Sequence, residues 1–555
     1  MKGIDARIIE LWKDVYPASA YTAGWDEFAG RLFVPSESNV KKALREARAL
    51  KARASTKLQR KVLGSIEADL LFEEPQPLIE GIVGAIFNHL TKEGVDEAHL
   101  RSLLSHASQA LDAAGSRFER KKVPIGVRVL TMYRLDGIMD ILDTVGKEAK
   151  GAELKGLCEE VKEKARKFVL SFGVEGFGKG RFEEVRDVFR KHGFDLGRQR
   201  SYRKALRESY DYHETPERLE KDALRWLDGE LRLYRDVTKR LAEAYGCGPD
   251  AVEERLRTRV AIRPEDLKST TDSIRQVIQR LVDKEVANIN PRYDTRVIET
   301  PSYLTGVLPT AAAGFFDSFT DHPFQLYFIT TDPDRDPIRS VASLINTLVH
   351  EEYGHCVHHS NSSVGYVEEL NPLEELPTTF QGPVTEGLSF NRELEFLECV
   401  KRLEGKARLS EEERGYADAM ERYGGLHLMN MEVEYETRKW RIVRFLRVIG
   451  DVRVNTGKQG LLEFVGWAHG YTGVPEASVY FQLFPAHEGM GPGYATCYAV
   501  VGEEIRELER RIGDDGRRVQ FSTYLCSIGY PPRSIYREKL EAYLKKLQPA
   551  PGRPS

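Results

Sequence analysis

The segment His350-Glu351-Glu352-Tyr353-Gly354-His355 carries two imidazoles and two carboxylates in close succession. Neutral imidazoles and carboxylates are groups that bind zinc and related transition metals in proteins. A carboxylate that lies beside a bound metal without ligating it can accept a proton from water. The segment therefore favours a metal centre that activates water.

The spacing of the two histidines differs from that of the common zinc helix, H-E-x-x-H, in which histidines four residues apart share one side of the helix and the adjacent Glu acts as general base. His350 and His355 are five residues apart, which in an ideal helix rotates one from the other by about 140°, since each residue turns roughly 100°. Their rings converge only if the helix is overwound or bulged, and Gly354 would tolerate a π-type distortion. We predict such a distortion, with Glu351 as the general base.

A helix must position these groups. Asp336 followed by Pro337 is typical of an N-cap and a first helical residue, and this predicts a helix from Pro337 through His355. A buried face that changes from apolar residues to Glu and His requires pairing or a metal, because burying such groups alone is costly. The members of this predicted face are Ile338, Val341, Ile345, Leu348, Glu352, His355 and His359. We expect His358 and His359 to lie near the metal without binding it, or at the surface.

A catalytic zinc needs a third protein ligand and one open position. Glu386 follows Pro383 at the start of a predicted helix, on the same face as the apolar residues Phe390, Leu394 and Leu397. Glu375 is the alternative, but it lies shortly before Pro377, where a helix is unfavourable. Glu386 is favoured as the third ligand, and Glu375 stays open.

Several segments resemble known metallopeptidase-like families. The H-E-x-x-G-H spacing of residues 350–355 matches the variant found in dipeptidyl peptidase III-like enzymes, and it is one residue shorter than the H-E-x-x-P-G-H-H of the family called domain of unknown function 885. About half of the chain, from roughly Asn290 to Tyr536, resembles the second family in the order of its blocks. Those blocks are ETPSYLTGVLPTAAAGFFDSF, PFQLYFITT, EGLSF, RVIGDVRVNTG and GPGYATCYAVVG.

The resemblance implies a mainly α protein, with a large helical metallopeptidase fold and a deep cleft, related to thimet oligopeptidase and to thermostable carboxypeptidases. Glu386 lies at the family's E-G position, whereas Glu375, in LEELPTTF, resembles the E-L-P-S-Q of thimet-type oligopeptidases. Tyr498 matches the tyrosine of the family's P-G-Q-A-x-x-Y block, and Tyr494 stands where that family has Gln. Either phenol could donate a hydrogen bond to a developing oxyanion, and an equally simple interpretation is that both are packed aromatics.

The chain changes character near residue 261. Residues 1–261 are rich in Leu, Ala, Glu, Lys and Arg at helical spacing, and they predict a helical region that forms one wall of the cleft. Residues 262–555 are predicted to be the catalytic zinc region. PFQLYFITT, from Pro323 to Thr331, is the best strand candidate, in a small antiparallel β element beside the metal helix. Its edge could bind an extended peptide.

Composition limits the partners. The 82 basic and 86 acidic side chains nearly cancel, so the overall charge favours neither nucleic acid nor an anionic membrane. The N-terminus carries Asp5, Glu10 and Asp14, and no later apolar run is long enough to span a bilayer. The six cysteines form no C-x-x-C pair, which is typical of a reducing compartment. These features predict a cytoplasmic protein.

The sequence thus predicts a zinc metallopeptidase that binds one zinc ion through His350, His355 and Glu386 and hydrolyses short peptides, as a carboxypeptidase or an oligopeptidase. In a carboxypeptidase, Arg444 and Arg447 could bind the substrate carboxylate, but we expect ordinary basic residues on an amphipathic helix that ends at Ile449. One alternative is a zinc hydrolase of a non-peptide amide or ester. Another is a non-catalytic helical binding protein.

Overall fold

Helices dominate the protein, as the sequence predicts. The computed structural model describes residues 3–72, 74–118, 122–305, 308, 310–332, 338–364 and 370–547. Among these residues, no helix combines the length and the apolar character needed to cross a lipid bilayer. The chain separates into two compact units, each built from segments that are distant in sequence.

The first unit comprises Met1–Glu220, Leu376–Phe380 and Leu446–Ala495. Its core is helical and includes the fully buried rings of Trp12 and Tyr202. Its helices are α1 (Ile4–Val15), α2 (Pro17–Thr22), α3 (Glu37–Arg53), α4 (Lys57–Leu70), α5 (Gln76–Glu93), α6 (Glu97–Arg117), α7 (Ile125–Met132), α8 (Leu135–Glu148), α9 (Ala152–Ser171), α10 (Phe182–His192), α11 (Tyr202–Glu208), α21 (Leu461–Thr472) and α22 (Glu476–Leu483).

The second unit comprises Lys221–Glu375, Gln381–Phe445 and Thr496–Ser555. Its first segment starts inside the 30-residue helix α12, which continues through Glu220. The predicted division near residue 261 stays a prediction. The helices of this unit, or that reach into it, are α12 (Pro216–Tyr245), α13 (Val252–Arg259), α14 (Leu267–Glu285), α15 (Val341–His350), α16 (Val357–Ser362), α17 (Pro372–Glu375), α18 (Gln381–Leu403), α19 (Glu411–Glu421), α20 (Leu426–Asn455), α23 (Cys497–Glu509), α24 (Asp515–Cys526) and α25 (Arg533–Leu547).

The second unit also contains a three-stranded sheet, formed by β1 (Thr295–Glu299), β2 (Ala311–Phe316) and β3 (Phe324–Ile329) in the order β1-β3-β2. The predicted strand in PFQLYFITT is confirmed as β3. The prediction of an antiparallel element is wrong, because β1 pairs with β3 in parallel and only β2 is antiparallel to it. The predicted peptide-binding edge on β3 is also wrong, since β3 is the central strand, and its nearly continuous burial fits that position.

The helix before the histidines begins later than predicted. Helix α15 starts at Val341, and the side chain of Ser340 caps it by accepting a hydrogen bond from the Ser343 amide at 3.2 Å. The amide of Ile262 donates to the Arg339 carbonyl at 2.9 Å, which holds the preceding residues extended. The predicted cap at Asp336 and Pro337 lies outside the described residues.

The distortion that the histidine spacing requires is present. Residues Glu351–Cys356 form a π-helical segment between α15 and α16. The wider turn of a π-helix, with bonds from residue i to i+5, brings residues five apart onto one side. A Cβ atom at Gly354 would lie 2.6 Å from Ser389 Cβ and 2.8 Å from Ser389 Cα, so glycine is also needed for α18 to approach this segment.

Helix α18 packs closely on α23 through two glycines. A Cβ atom at Gly387 would lie 2.5 Å from Val501 Cβ, and one at Gly502 would lie 2.9 Å from the Gly387 carbonyl oxygen. Both distances are shorter than ordinary van der Waals contact. The glycines of EGLSF and GPGYATCYAVVG therefore fix the separation of the helices that carry Glu386 and Tyr498.

Candidate metal centre

Three side chains of the second unit converge on one point. The Oε2 atom of Glu386 lies 3.6 Å from His350 Nε2 and 3.5 Å from His355 Nε2. The two imidazole rings are 4.9 Å apart between centroids and nearly perpendicular, at 89°. Ligands about 2.1 Å from a tetrahedral zinc lie about 3.4 Å from one another. The observed separations therefore fit the donor set of one zinc-sized cation.

The two glutamates that follow His350 have different surroundings. Glu351 is partly exposed, and one of its carboxylate oxygens lies within 4.8 Å of a ring nitrogen of both His350 and His355. Glu352 is fully buried and accepts hydrogen bonds from Arg275 Nε at 2.5 Å and from the Tyr293 hydroxyl at 2.9 Å. Glu351 is thus available to the centre, whereas Glu352 belongs to a separate buried ion pair.

The far side of the His350 ring is held by a carboxylate. His350 Nδ1 lies 2.8 Å from Glu393 Oε1, and the other oxygen of Glu393 accepts from Arg444 at 2.7 Å. An Nδ1–H that donates to Glu393 leaves the lone pair of Nε2 directed at Glu386. Metal-binding histidines are commonly oriented in this way. Glu393 is not among the residues predicted from the sequence, although its position seven residues after Glu386 places both on one helix face.

The His355 ring is held by two hydroxyl groups on α18. Its Nδ1 lies 2.9 Å from Thr385 Oγ1 and 3.0 Å from Ser389 Oγ. Because Thr385, Ser389 and Glu386 share one end of α18, that helix both supplies the third candidate ligand and orients the second imidazole.

The charges around this point favour a cation. Burial by itself raises the pKa of Glu386, but the imidazoles of His355 and His350 hold that pKa well below its usual range. Burial and Arg444 lower the pKa of His350, but Glu386 and Glu393 outweigh them and raise it to about 9. The surrounding carboxylates therefore stabilise positive charge between the imidazoles.

The net charge of the side chains around the two histidines also favours a bound cation. Glu351, Glu386 and Glu393 contribute three carboxylates, and Arg444 contributes one guanidinium, all in the second unit. Despite burial, Arg444 and His350 lower the pKa of Glu393, so that carboxylate is ionised. A bound metal would displace the proton of His350, and with both imidazoles neutral two negative charges would be left for a divalent cation to balance.

The structure places one predicted tyrosine, Tyr498, beside His350. The ring of Tyr498 lies 6.1 Å from that of His350 and nearly parallel to it, at 15°, and the Arg444 guanidinium carbon is 5.6 Å from the same ring. Tyr494 belongs to the first unit, where its ring lies 5.8 Å from that of His487. The catalytic roles of both tyrosines remain predictions.

The alternative third ligand has a different environment. Glu375 is buried at the end of α17 beside Ser362. Burial and the neighbouring Glu374 raise its pKa well above the usual value, against a hydrogen bond from Ser362. Burial therefore disfavours the ionised form of Glu375, and the geometry associates Glu386 with the two histidines.

His358 and His359 are both buried, so their predicted surface location is wrong. His358 Nε2 lies 3.1 Å from the Gly529 carbonyl oxygen, and His359 Nδ1 lies 2.8 Å from Gln325 Nε2. Burial lowers the pKa of each to about 3. Both imidazoles are neutral and serve the packing of α16 against its neighbours.

The two arginines differ from the ordinary basic residues that were expected. Helix α20 does not end at Ile449 but continues to Asn455. Arg444 is buried against Glu393, and Arg447, which belongs to the first unit, is buried as well. Arg444 therefore supports the candidate centre through Glu393.

Comparisons with known proteins give structural similarity alone. No family model matches the chain, and no curated protein matches it. The crystal structure of a "putative lipoprotein" from Colwellia psychrerythraea is 13% identical, with a TM-score of 0.62 over 98% of this chain and 100% of that chain. A "putative lipoprotein of unknown function" from Shewanella oneidensis is 16% identical, with a TM-score of 0.65 over 97% of this chain and 99% of that chain. At these identities the similarity extends to the fold only.

Proposed function

We propose that the protein is a zinc-dependent hydrolase of peptide bonds in short peptides. His350, His355 and Glu386 would hold one zinc ion, and Glu351 would act as general base. The observation that carries the proposal is the convergence of both Nε2 atoms on Glu386 Oε2, at 3.6 and 3.5 Å, with the Glu351 carboxylate beside them.

His350, His355 and Glu386 would hold a divalent cation, which would supply a Lewis acid that polarises the substrate carbonyl and activates water. Glu351 accepts the proton of the attacking water and passes it to the leaving amine. The hydroxyl of Tyr498 donates a hydrogen bond to the substrate oxygen as negative charge grows there. Glu393 and Arg444 keep the His350 ring in the orientation that directs Nε2 to the centre.

Strand β2 supports a peptide as the substrate. It is an outer strand of the sheet, formed by AAAGFF, and it pairs with β3 along one edge. Phe315 of this strand lies 6.3 Å from the His355 ring between centroids. An extended peptide that pairs with a strand edge gains main-chain hydrogen bonds whatever its sequence. A small non-peptide amide or ester would gain nothing from that edge.

The test combines metal analysis with peptide digestion. Wild type, Glu351→Gln and the control Glu411→Gln, at an exposed position of α19, are assayed for zinc and incubated with a peptide library read by mass spectrometry. We expect Glu351→Gln to keep its zinc and lose at least about 1,000-fold in kcat/KM, because the proton acceptor is removed while the ligands remain. The control should match wild type.

Three results would contradict the proposal. Undiminished turnover by Glu351→Gln would remove Glu351 from the role of base. A zinc-loaded wild type that leaves every peptide intact but hydrolyses acylated small amides would replace peptides with those amides as the substrate class. A chain that binds no zinc at residues 350–386 would favour a non-catalytic binding protein.

A further inference from the structure

A second group of potential ligands lies in the first unit, where α5 ends and α6 begins. His89 and Glu93 are one helical turn apart on the last turns of α5, and Asp96 and His99 are at the start of α6. One potential ligand atom from each of the four lies within 4.8 Å of the others. We call these four residues the α5–α6 cluster.

His89 is the unusual member of the α5–α6 cluster. Its side chain is 1% exposed, and among the described residues neither of its ring nitrogens has a hydrogen-bond partner. A buried polar group without a partner is destabilising by roughly 1–3 kcal/mol. Its Nε2 faces the Glu93 carboxylate, with Oε2 at 3.9 Å, which is beyond hydrogen-bond reach. The imidazole therefore points at the other three groups with its bonding capacity unused.

The remaining members are arranged around the same point. His99 Nδ1 lies 2.9 Å from Glu93 Oε2 and 3.6 Å from Asp96 Oδ1. The rings of His89 and His99 are 5.8 Å apart and nearly perpendicular, at 86°. These separations bracket the roughly 3.4 Å between ligands of a tetrahedral zinc. Glu93, Asp96 and His99 are partly exposed to solvent, which gives an ion a path of entry.

The nearest lysine does not occupy this point. The ammonium of Lys92 donates to the Tyr21 carbonyl at 2.9 Å and lies 4.4 Å from the centre of the Tyr21 ring. It also approaches Asp26 at 3.4 Å. The carboxylates of Glu93 and Asp96 face the imidazoles of His89 and His99.

We propose that His89, Glu93, Asp96 and His99 form a second metal site, for zinc or a similar divalent transition metal, which ties the end of α5 to the start of α6. Four protein ligands leave no open position, as is typical of a structural site rather than a catalytic one. The site is separate from the proposed peptidase centre and does not depend on it.

The full-length variant His350→Ala/His355→Ala, which lacks two ligands of the proposed catalytic centre, is the background for the test. The metal-free protein is titrated with zinc in competition with a chromophoric chelator. We expect one zinc per chain, and a higher thermal unfolding midpoint when zinc is added, because an ion that binds only the folded state stabilises it.

Adding Glu93→Gln and Asp96→Asn should reduce the bound zinc from one per chain to none and abolish the shift in the unfolding midpoint. Both changes keep side-chain size, and Asn at position 96 keeps the cap of α6, where Asp96 now accepts from the His99 amide at 2.8 Å. Adding instead His192→Ala, an exposed histidine at the end of α10, should leave one zinc per chain.

The proposal is overturned if the background variant binds no zinc, or if the variant with Glu93→Gln and Asp96→Asn still binds one. A further variant, His89→Gln, covers the case in which the carboxylate changes unfold the protein. It should fold and bind zinc at least about 100-fold more weakly than the background, and unchanged affinity would also overturn the proposal.

Discussion

The two units each contain a group of histidines and carboxylates, and the groups differ in how they are supported. In the second unit, His350 and His355 are buried, and the outer nitrogen of each ring meets a partner on α18. In the α5–α6 cluster, His89 has no such partner among the described residues, and all four groups come from the end of one helix and the start of the next. A centre that must keep an open position and a separate base needs support from several helices, whereas a closed site can be built locally.

The strongest test of this contrast removes the third candidate ligand. Glu386→Gln should abolish zinc binding at residues 350–386 and lower kcat/KM by at least about 1,000-fold. The reason is that the negative charge that attracts and ligates the cation is lost. Zinc analysis and peptide assays measure both effects. The matched control is Glu375→Gln, which changes the alternative carboxyl in the same way and should keep metal and activity. The reverse result would make Glu375 the ligand.

The next test changes Gly354, in the π-helical segment that places His350 and His355 on one side of the helix. Gly354→Ala places a Cβ atom against Ser389 and should destabilise the protein by about 1–3 kcal/mol while weakening zinc binding, since α18 must move away. The control Gly415→Ala, on α19 with nothing within 4 Å, should be neutral or stabilising by up to about 1 kcal/mol. Denaturant unfolding with and without zinc gives both quantities. Equal behaviour of the two variants would show that close packing at Gly354 is unimportant.

A smaller effect is expected from the carboxylate behind His350. Glu393→Gln keeps the size of the side chain but removes the charge that orients the Nδ1–H and pairs with Arg444. Loss of such a partner typically reduces metal affinity by about 10–100-fold. Zinc titration should show this drop, with the α5–α6 cluster unaffected in the same protein. Unchanged zinc affinity would mean that the contact between Glu393 and His350 does not distinguish the proposed catalytic centre from the α5–α6 cluster.

The smallest predicted effect concerns pH. The folded-state pKa of His359 is lowered to about 3 by burial, so the unfolded chain, with an ordinary pKa near 6.5, takes up the proton first. The stabilisation is present above about pH 6.5 and is lost as pH falls towards 3. Between pH 7.5 and 5.5, wild type should lose about 1 kcal/mol more than His359→Gln in urea unfolding. Parallel losses would show that His359 titrates normally in the fold.

Local patterns predicted the elements but not their partners. The apolar run PFQLYFITT identified β3, yet only pairing with β1 and β2 made it a central strand, because hydrogen bonding between strands depends on residues far away in sequence. The cap at Ser340 likewise depends on an extended segment held by Ile262. The α5–α6 cluster could have been predicted from the sequence, since the spacing of His89, Glu93, Asp96 and His99 places them on neighbouring helical turns. That spacing, however, matches no common metal-binding motif.

The sequence by itself determined that the protein is mainly helical, that His350 and His355 need a distorted helix at Gly354 to meet, and that Glu386 lies on a buried helix face. Those conclusions follow from helical periodicity, which fixes the direction of each side chain relative to its own helix. Only the tertiary structure decided that Glu386 rather than Glu375 faces the histidines, that Glu352 pairs with Arg275, and that Glu393 and Arg444 hold His350. Such contacts join separate helices, so they depend on how the helices pack.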